Sequence, residues 1–283
     1  MTPTESKIIT LQKYDGSLDL VHSIERLIQK KYSNLFHSVI VHGSVATNEV
    51  IPYSDFDGLL IVKDAFANSN ELKSFKKESL KLIYKFDPLQ HHGWFQILES
   101  QLDNYPEYYL PYEILNHSKR IYPNDESLTL NLIIDFEALD YKRSLKQLIA
   151  SINQQSKMDV NSMKLYDFKS YLSKIMLLPS MYYAAKYNKG VFKKESFDLV
   201  RQDFSESAWL CIETASDIRA NWTYNLNGIQ KFIMTRPYRP FRRLTKKVVS
   251  PNINTQFSNK IDDTFYKSLK DLINTINKDI FVA

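Results

Sequence analysis

Two short apolar runs, separated by a polar segment, constrain the fold of this chain more than any other feature. Residues 38–42 form the first run, which ends at Gly43-Ser44, and residues 57–62 form the second. A run of four to eight apolar residues bounded by turn residues predicts a buried strand. We therefore expect two strands connected through a Gly-Ser turn, with the second strand beginning at Asp55.

The segments around these strands complete a small module. Apolar residues recur at helical spacing over 18–32, and the Lys-rich stretch 70–84 also has a helical pattern. Residues 93–98 predict a third strand. The order helix-strand-strand-helix-strand predicts an α+β fold, a small mixed β-sheet with helices on one side.

Downstream of residue 125 we find no further strand signal. The segments expected to be helical are 128–155, 163–187, 195–201, 205–222 and 260–279. Ser205 is a plausible helix start, and Lys189-Gly190 a plausible helix stop. We expect an N-terminal α+β domain over residues 1–125 and a C-terminal helical domain over residues 126–283.

Composition excludes several classes of protein. With 43% hydrophobic and 24% charged residues, the chain is not of the disordered class. It has no apolar run of about 18 residues that would span a membrane and no secretory leader pattern, so we expect a cytoplasmic protein. One cysteine, Cys211, excludes an intrachain disulfide and a Cys-based zinc cluster, and its apolar neighbours favour a packed thiol. The net charge of +5 favours anionic partners only slightly.

The two strands carry residues suited to phosphate and metal chemistry. The amides and hydroxyl of a turn such as Gly43-Ser44 can hold a phosphate group. Asp55 and Asp57 are spaced by two, which on a strand places both carboxylates on one face, about 6–7 Å apart along the chain. Magnesium prefers carboxylate oxygens together with substrate phosphates. The pattern predicts a divalent cation between the two aspartates.

His42-Gly43-Ser44, followed by Tyr53 to Val62 with its Asp-x-Asp, resembles the nucleotidyltransferase superfamily of the DNA polymerase β type, which includes aminoglycoside and minimal nucleotidyltransferases. The resemblance covers residues 35–100, and a helical partner domain is common in that superfamily. It implies that Gly43 and Ser44 bind the triphosphate of a nucleoside triphosphate and that Asp55 and Asp57 bind Mg²⁺ or Mn²⁺. The implied reaction is nucleotidyl transfer to an acceptor hydroxyl, with a small-molecule acceptor expected.

One position departs from the family pattern, which usually has a third carboxylate on a neighbouring strand. Alternation along 93–98 assigns Phe95 and Ile97 to the packed face, and His92, Trp94 and Gln96 to the open face of the site. No acid lies there, so His92 is the expected base or metal ligand. The alternative is an ordinary surface or hydrogen-bonded histidine. The missing acid also leaves open a catalytically degenerate nucleotide-binding or regulatory module.

Two basic segments complete the list of candidates. Within 189–194, Lys193 belongs to a stretch that resembles a helix-linker segment of such transferases, in which a basic side chain approaches the nucleotide. Residues 231–247 carry seven basic residues, interleaved aromatic residues and no acid, which suits phosphate contact and base stacking and leaves an RNA-binding protein as a third reading. Pro237 and Pro240 predict a loop here. We favour a solvated connector and expect no nucleic-acid partner.

Overall fold

A computed structural model describes residues 4–125, 127–136, 139–236 and 242–282. The chain divides into two compact units. The first contains Met1–Ala138 and Lys231–Arg243, and the second contains Leu139–Gln230 and Leu244–Ala283. The first unit thus extends beyond residue 125, where the sequence placed the boundary, and includes part of the basic segment.

The described residues of the first unit contain six strands in two sheets. The strands are β1 (Thr4–Gln12), β2 (Phe36–His42), β3 (Asp57–Val62), β4 (Phe95–Leu98), β5 (Lys119–Tyr122) and β6 (Ser127–Asp135). Four of them form a mixed sheet in the order β4-β3-β2-β5. In this sheet β2 runs antiparallel to β3 and β5, whereas β3 and β4 are parallel. The predicted α+β class with a small mixed sheet is confirmed.

β1 and β6 pair with each other as a separate antiparallel sheet, from Thr4 opposite Asp135 to Gln12 opposite Ser127. The prediction of one helix over 128–155 was therefore wrong for its first half, because β6 extends to Asp135 and the helix follows later. Leucines and isoleucines alternate with polar residues in β6, which gives the period of two that a half-buried strand requires. The helix begins only at Tyr141, where the Asp140 carboxylate accepts a hydrogen bond of 2.8 Å from the Arg143 amide.

Both faces of the four-stranded sheet are covered. One face packs against α1 (Asp19–Leu27) and α3 (Asn70–Phe86), with Phe75 and Leu60 in that cluster. The other face packs with side chains of β1 and β6, and Leu59 and Ile97 lie there. Burial on both faces explains why β2 and β3 are nearly continuous apolar runs. Two short helices, α2 (Gly43–Ala46) and α4 (Tyr112–Leu115), complete the unit.

The helix predicted over 18–32 is shorter than expected. α1 ends at Leu27, and the chain continues as a π-helical turn over Ile28–Tyr32 and a short 3₁₀ turn before β2. Two further 3₁₀ segments, Asp64–Phe66 and Glu99–Asn104, follow β3 and β4.

The second unit is helical. Its α-helices, two of which cross into the first unit, are α5 (Tyr141–Gln155), α6 (Leu165–Ile175), α7 (Leu178–Tyr187), α8 (Lys193–Val200), α9 (Glu206–Ala220), α10 (Gly228–Met234), α11 (Arg242–Val249), α12 (Thr255–Ser258) and α13 (Asp263–Phe281).

Two helix boundaries differ from the sequence prediction and one agrees with it. The helix predicted over 163–187 is divided into α6 and α7, with Pro179 in the first turn of α7. α7 ends at Tyr187, and the residue that stops it is Asn188, whose φ of 51° lies in the left-handed region, rather than Lys189-Gly190. Ser205 caps α9 as predicted, because its hydroxyl accepts a 3.2 Å hydrogen bond from the Ala208 amide.

The basic segment 231–247 was predicted to be a loop, and that prediction was wrong for most of it. Its first residues lie in α10 and its last in α11, while both of its prolines, in 237–241, lie outside the described residues. Proline restricts helices only in its own vicinity, so helices form on either side. No helix among the described residues is long and apolar enough to cross a membrane.

Candidate functional site

The predicted phosphate-binding turn follows directly after β2. Gly43 has a φ of 65°, a left-handed conformation that residues with a side chain rarely adopt. A Cβ atom built on Gly43 would lie 3.0 Å from Oδ2 of Asp57. Position 43 therefore favours glycine for two reasons, the left-handed backbone conformation and the close approach to the Asp57 carboxylate. Ser44 follows in the first turn of α2 and is half-buried.

Asp57 is the first residue of β3 and pairs with His42 across the antiparallel ladder. Asp55 lies two residues earlier, in the irregular segment that precedes the strand. The expectation that the strand begins at Asp55 was wrong, since pairing with β2 stops at the Gly43 turn. Both aspartates are half-buried.

The side chain of Gln90 holds the segment between the two aspartates. Its Oε1 accepts a 2.8 Å hydrogen bond from the Phe56 amide, and its Nε2 donates a 2.7 Å hydrogen bond to the Phe56 carbonyl. Gln90 is fully buried. Gln90 could not be identified from the sequence, because a lone glutamine in a loop has no periodic or motif signal.

The third strand has the opposite orientation to the predicted one. Trp94 packs on Gly58 and donates a 2.9 Å hydrogen bond to Ser79 of α3, and Gln96 accepts a hydrogen bond from Lys76 of the same helix. These side chains therefore point to the helical face. Phe95, predicted to be on the packed face, pairs with Leu59 and lies on the face of Asp57.

His92 nevertheless lies near the site. It is exposed, precedes β4, and its ring stacks on Phe95 with centroids 6.3 Å apart. The same Phe95 ring lies 5.5 Å from the ring of His42, the strand partner of Asp57. His92 thus reaches this end of the sheet from the irregular segment before the strand, and alternation along the strand does not determine its direction.

His42 is a site residue that we did not single out from the sequence. It is 7% exposed, and burial lowers the pKa of its imidazole, with a smaller opposing effect from the charge of Asp57 and a further lowering by His92. The ring is therefore neutral at physiological pH. Its Nε2 is buried and has no hydrogen-bond partner in the described part of the chain. The signal that could have identified it is its place directly before Gly43, opposite Asp57.

The two aspartates fit a cation that binds together with a substrate. Asp55 and Asp57 supply two carboxylates, and the described residues contain no group of three or more His, Cys, Asp or Glu that could hold a metal. Magnesium is usually bound by one or two carboxylates plus substrate phosphates, not by a complete protein cage. The missing side chain of Gly43 leaves Oδ2 of Asp57 accessible from the turn. The residues present therefore fit Mg²⁺ or Mn²⁺ in this role.

Two further candidates belong to the second unit. Lys193 is the first residue of α8 in the second unit and is half-buried. Cys211 is fully buried in α9, and burial raises the pKa of its thiol to about 11, which agrees with a packed thiol and not a nucleophile.

Of the residues predicted for the site, the structure brings Gly43, Asp57 and His92 to one end of the sheet.

No family model matches this chain, and no curated protein matches it either. A function must therefore be argued from the site itself.

Proposed function

We propose that the chain is a nucleotidyltransferase that transfers a nucleoside monophosphate from a nucleoside triphosphate to an acceptor hydroxyl. The observation that carries the proposal is the contact between the left-handed Gly43 turn and the Asp57 carboxylate, at 3.0 Å from the position of a Cβ. Backbone amides of such a turn bind phosphate, and the adjacent carboxylate binds its counter-cation. A turn that can bind phosphate and a carboxylate that can bind a cation thus lie next to each other, as a metal-triphosphate substrate requires.

Each residue has a role in the transfer. Gly43 and Ser44 bind the triphosphate, and Asp55 and Asp57 hold Mg²⁺ or Mn²⁺, which neutralises charge developing on the phosphate oxygens. His92 accepts the proton of the acceptor hydroxyl. The acceptor oxygen forms a bond to the α-phosphorus while the bond between the α-phosphorus and the bridging oxygen breaks, and pyrophosphate leaves. We assign Lys193 a contact to the nucleotide on the basis of the family resemblance alone.

A small-molecule acceptor in the cytoplasm fits the rest of the chain better than a nucleic acid. Within the basic segment, Lys246 is 1% exposed and so is not available to a phosphate backbone, and Lys247 forms a 3.3 Å ion pair with Asp167. The guanidinium of Arg236 lies 3.5 Å over the ring of Phe232, which occupies an aromatic face that a base would need. These contacts support a structural role for the segment.

The site assignment is tested by replacing each aspartate in the full chain. Asp55→Asn and Asp57→Asn are expected to abolish Mg²⁺-dependent binding of a non-hydrolysable triphosphate, measured by calorimetry, while the fold is retained. Asp64→Asn is the matched control, because Asp64 lies just beyond the other end of β3 and bonds to Ser100. Unchanged affinity in both site variants would contradict the assignment.

A second candidate function is a nucleotide-binding or regulatory module without turnover. β4, the strand that runs parallel beside β3, consists of Phe95–Leu98 and contains no carboxylate, so this strand supplies no third acid. Release of pyrophosphate from a panel of triphosphates with pooled acceptors discriminates the two. Metal-dependent release identifies the transferase, whereas binding without release identifies the module.

A further inference from the structure

The side-chain amide of Gln90 bonds to both backbone groups of Phe56, the residue between Asp55 and Asp57. The two hydrogen bonds, 2.8 Å from the Phe56 amide and 2.7 Å to its carbonyl, have near-ideal lengths. Phe56 precedes the strand ladder, whose last pair joins Asp57 to His42. Gln90 therefore makes the pair of hydrogen bonds that a neighbouring strand makes elsewhere in the sheet.

These hydrogen bonds are buried and geometrically fixed. Gln90 is fully buried and Phe56 is 1% exposed, so neither group of Phe56 could find water instead. Gln90 itself lies in a turn after α3. Its backbone amide donates a 3.1 Å hydrogen bond to the Asp87 carbonyl, and the Asp87 carboxylate accepts a 2.9 Å hydrogen bond from the Leu89 backbone amide. The Gln90 side chain that binds Phe56 thus projects from a turn that has hydrogen bonds of its own.

The dihedral angles of Phe56 determine how the two carboxylates are directed. φ and ψ of this residue are the soft torsions between the peptide planes that flank it, and Asp55 and Asp57 project from the far sides of those planes. A rotation at Phe56 would turn one aspartate relative to the other. Fixing both the N–H and the C=O of Phe56 removes that freedom.

We propose that Gln90 is a positioning residue for the metal site, which it serves by holding Phe56 so that Asp55 and Asp57 converge on one cation. This inference rests on the proposed function. Outer-shell partners that orient metal ligands commonly contribute a factor of about 10 to 100 in metal affinity. Gln90 acts through the backbone between the ligands and touches neither the cation nor the substrate.

The test is an Mn²⁺ titration of the full chain, followed by electron paramagnetic resonance. Gln90→Met keeps the side-chain length but removes both hydrogen bonds, and it is expected to weaken Mn²⁺ affinity about 10- to 100-fold. Gln90→Asn, one methylene shorter and unable to span both groups of Phe56, is the second variant if the first does not fold. Gln96→Met is the matched control, since it removes a glutamine of the same sheet that bonds to Lys76 of α3.

Two further measurements separate positioning from a general loss of stability. Ile97→Val destabilises the same sheet by removing a buried methylene and should leave Mn²⁺ affinity unchanged. Hydrogen exchange at the Phe56 amide should accelerate in the Gln90 variants only. Mn²⁺ affinity within twofold of wild type in a folded Gln90 variant would overturn the inference, as would an equal loss in Ile97→Val. If the wild-type chain binds no Mn²⁺, the proposed metal site is wrong, and the proposed role of Gln90 is wrong with it.

Discussion

Gly43→Ala separates the conformational requirement of the turn from its role in binding. An alanine at a φ of 65° costs about 1–2 kcal/mol relative to glycine. Alanine also restricts the backbone of the unfolded chain, which stabilises the folded state by about 0.4–1 kcal/mol. The expected net loss in the free energy of unfolding is therefore about 1 kcal/mol.

The effect of Gly43→Ala on binding should be larger than its effect on stability. The new Cβ would lie 3.0 Å from Oδ2 of Asp57, the end of a flexible side chain that can rotate away. The carboxylate then leaves the position in which it holds the cation. We expect metal-dependent triphosphate binding to be lost while the chain stays folded.

Gly93→Ala is the control for this substitution. Its Cβ would meet no atom within 4 Å, and its φ is outside the left-handed region, so we expect a gain of about 0.4–1 kcal/mol in the free energy of unfolding. Urea denaturation followed by tryptophan fluorescence measures both variants, and calorimetry measures binding. If Gly43→Ala unfolds at the wild-type urea midpoint and binds with wild-type affinity, the reasoning about the turn is refuted.

Three further predictions concern other parts of the chain. The guanidinium of Arg120 is fully buried with none of its nitrogens hydrogen-bonded within the described residues, so Arg120→Met should raise the free energy of unfolding by about 1–3 kcal/mol. A fall measured by urea denaturation would contradict this. Because the thiol of Cys211 is buried with a pKa of about 11, thiol labelling at pH 8 should proceed only as fast as the chain unfolds, and rapid labelling of the native protein would disprove the packing. His92→Ala should reduce transfer activity about 100-fold or more, and His91→Ala much less, as measured by pyrophosphate release. Equal effects would exclude His92 as the base.

The part of the site that could be predicted is the part encoded locally. Gly43-Ser44 directly follows the first apolar strand and Asp57 begins the second, whereas Asp55 lies in the irregular segment before that strand, so the expectation of both aspartates on one strand was wrong. The contributions of Gln90 and His42 depend on what packs beside them, and no pattern along the chain contains that information.

Two of the errors, in β4 and in β6, arise where packing partners outside the segment decide the outcome. Alternation along β4 gives two faces but does not say which one carries the site, and both are covered, by α3 on one side and by β1 and β6 on the other. In β6, the period of two was present in the sequence, but the leucines and isoleucines continue into a true helix at Tyr141. Tertiary pairing with β1 decides the outcome for this segment.

The pairing of β1 with β6 also determines when the two-stranded sheet can form during synthesis. Ser6 and Asn131, which share a hydrogen bond across this sheet, are 125 positions apart. At translation rates of about 5–20 residues per second, the first strand waits roughly 6–25 s for its partner. Until then, the face of the central sheet that carries Leu59 and Ile61 has no cover from β6. The apolar residues of this face are therefore synthesised seconds before the strand that covers them.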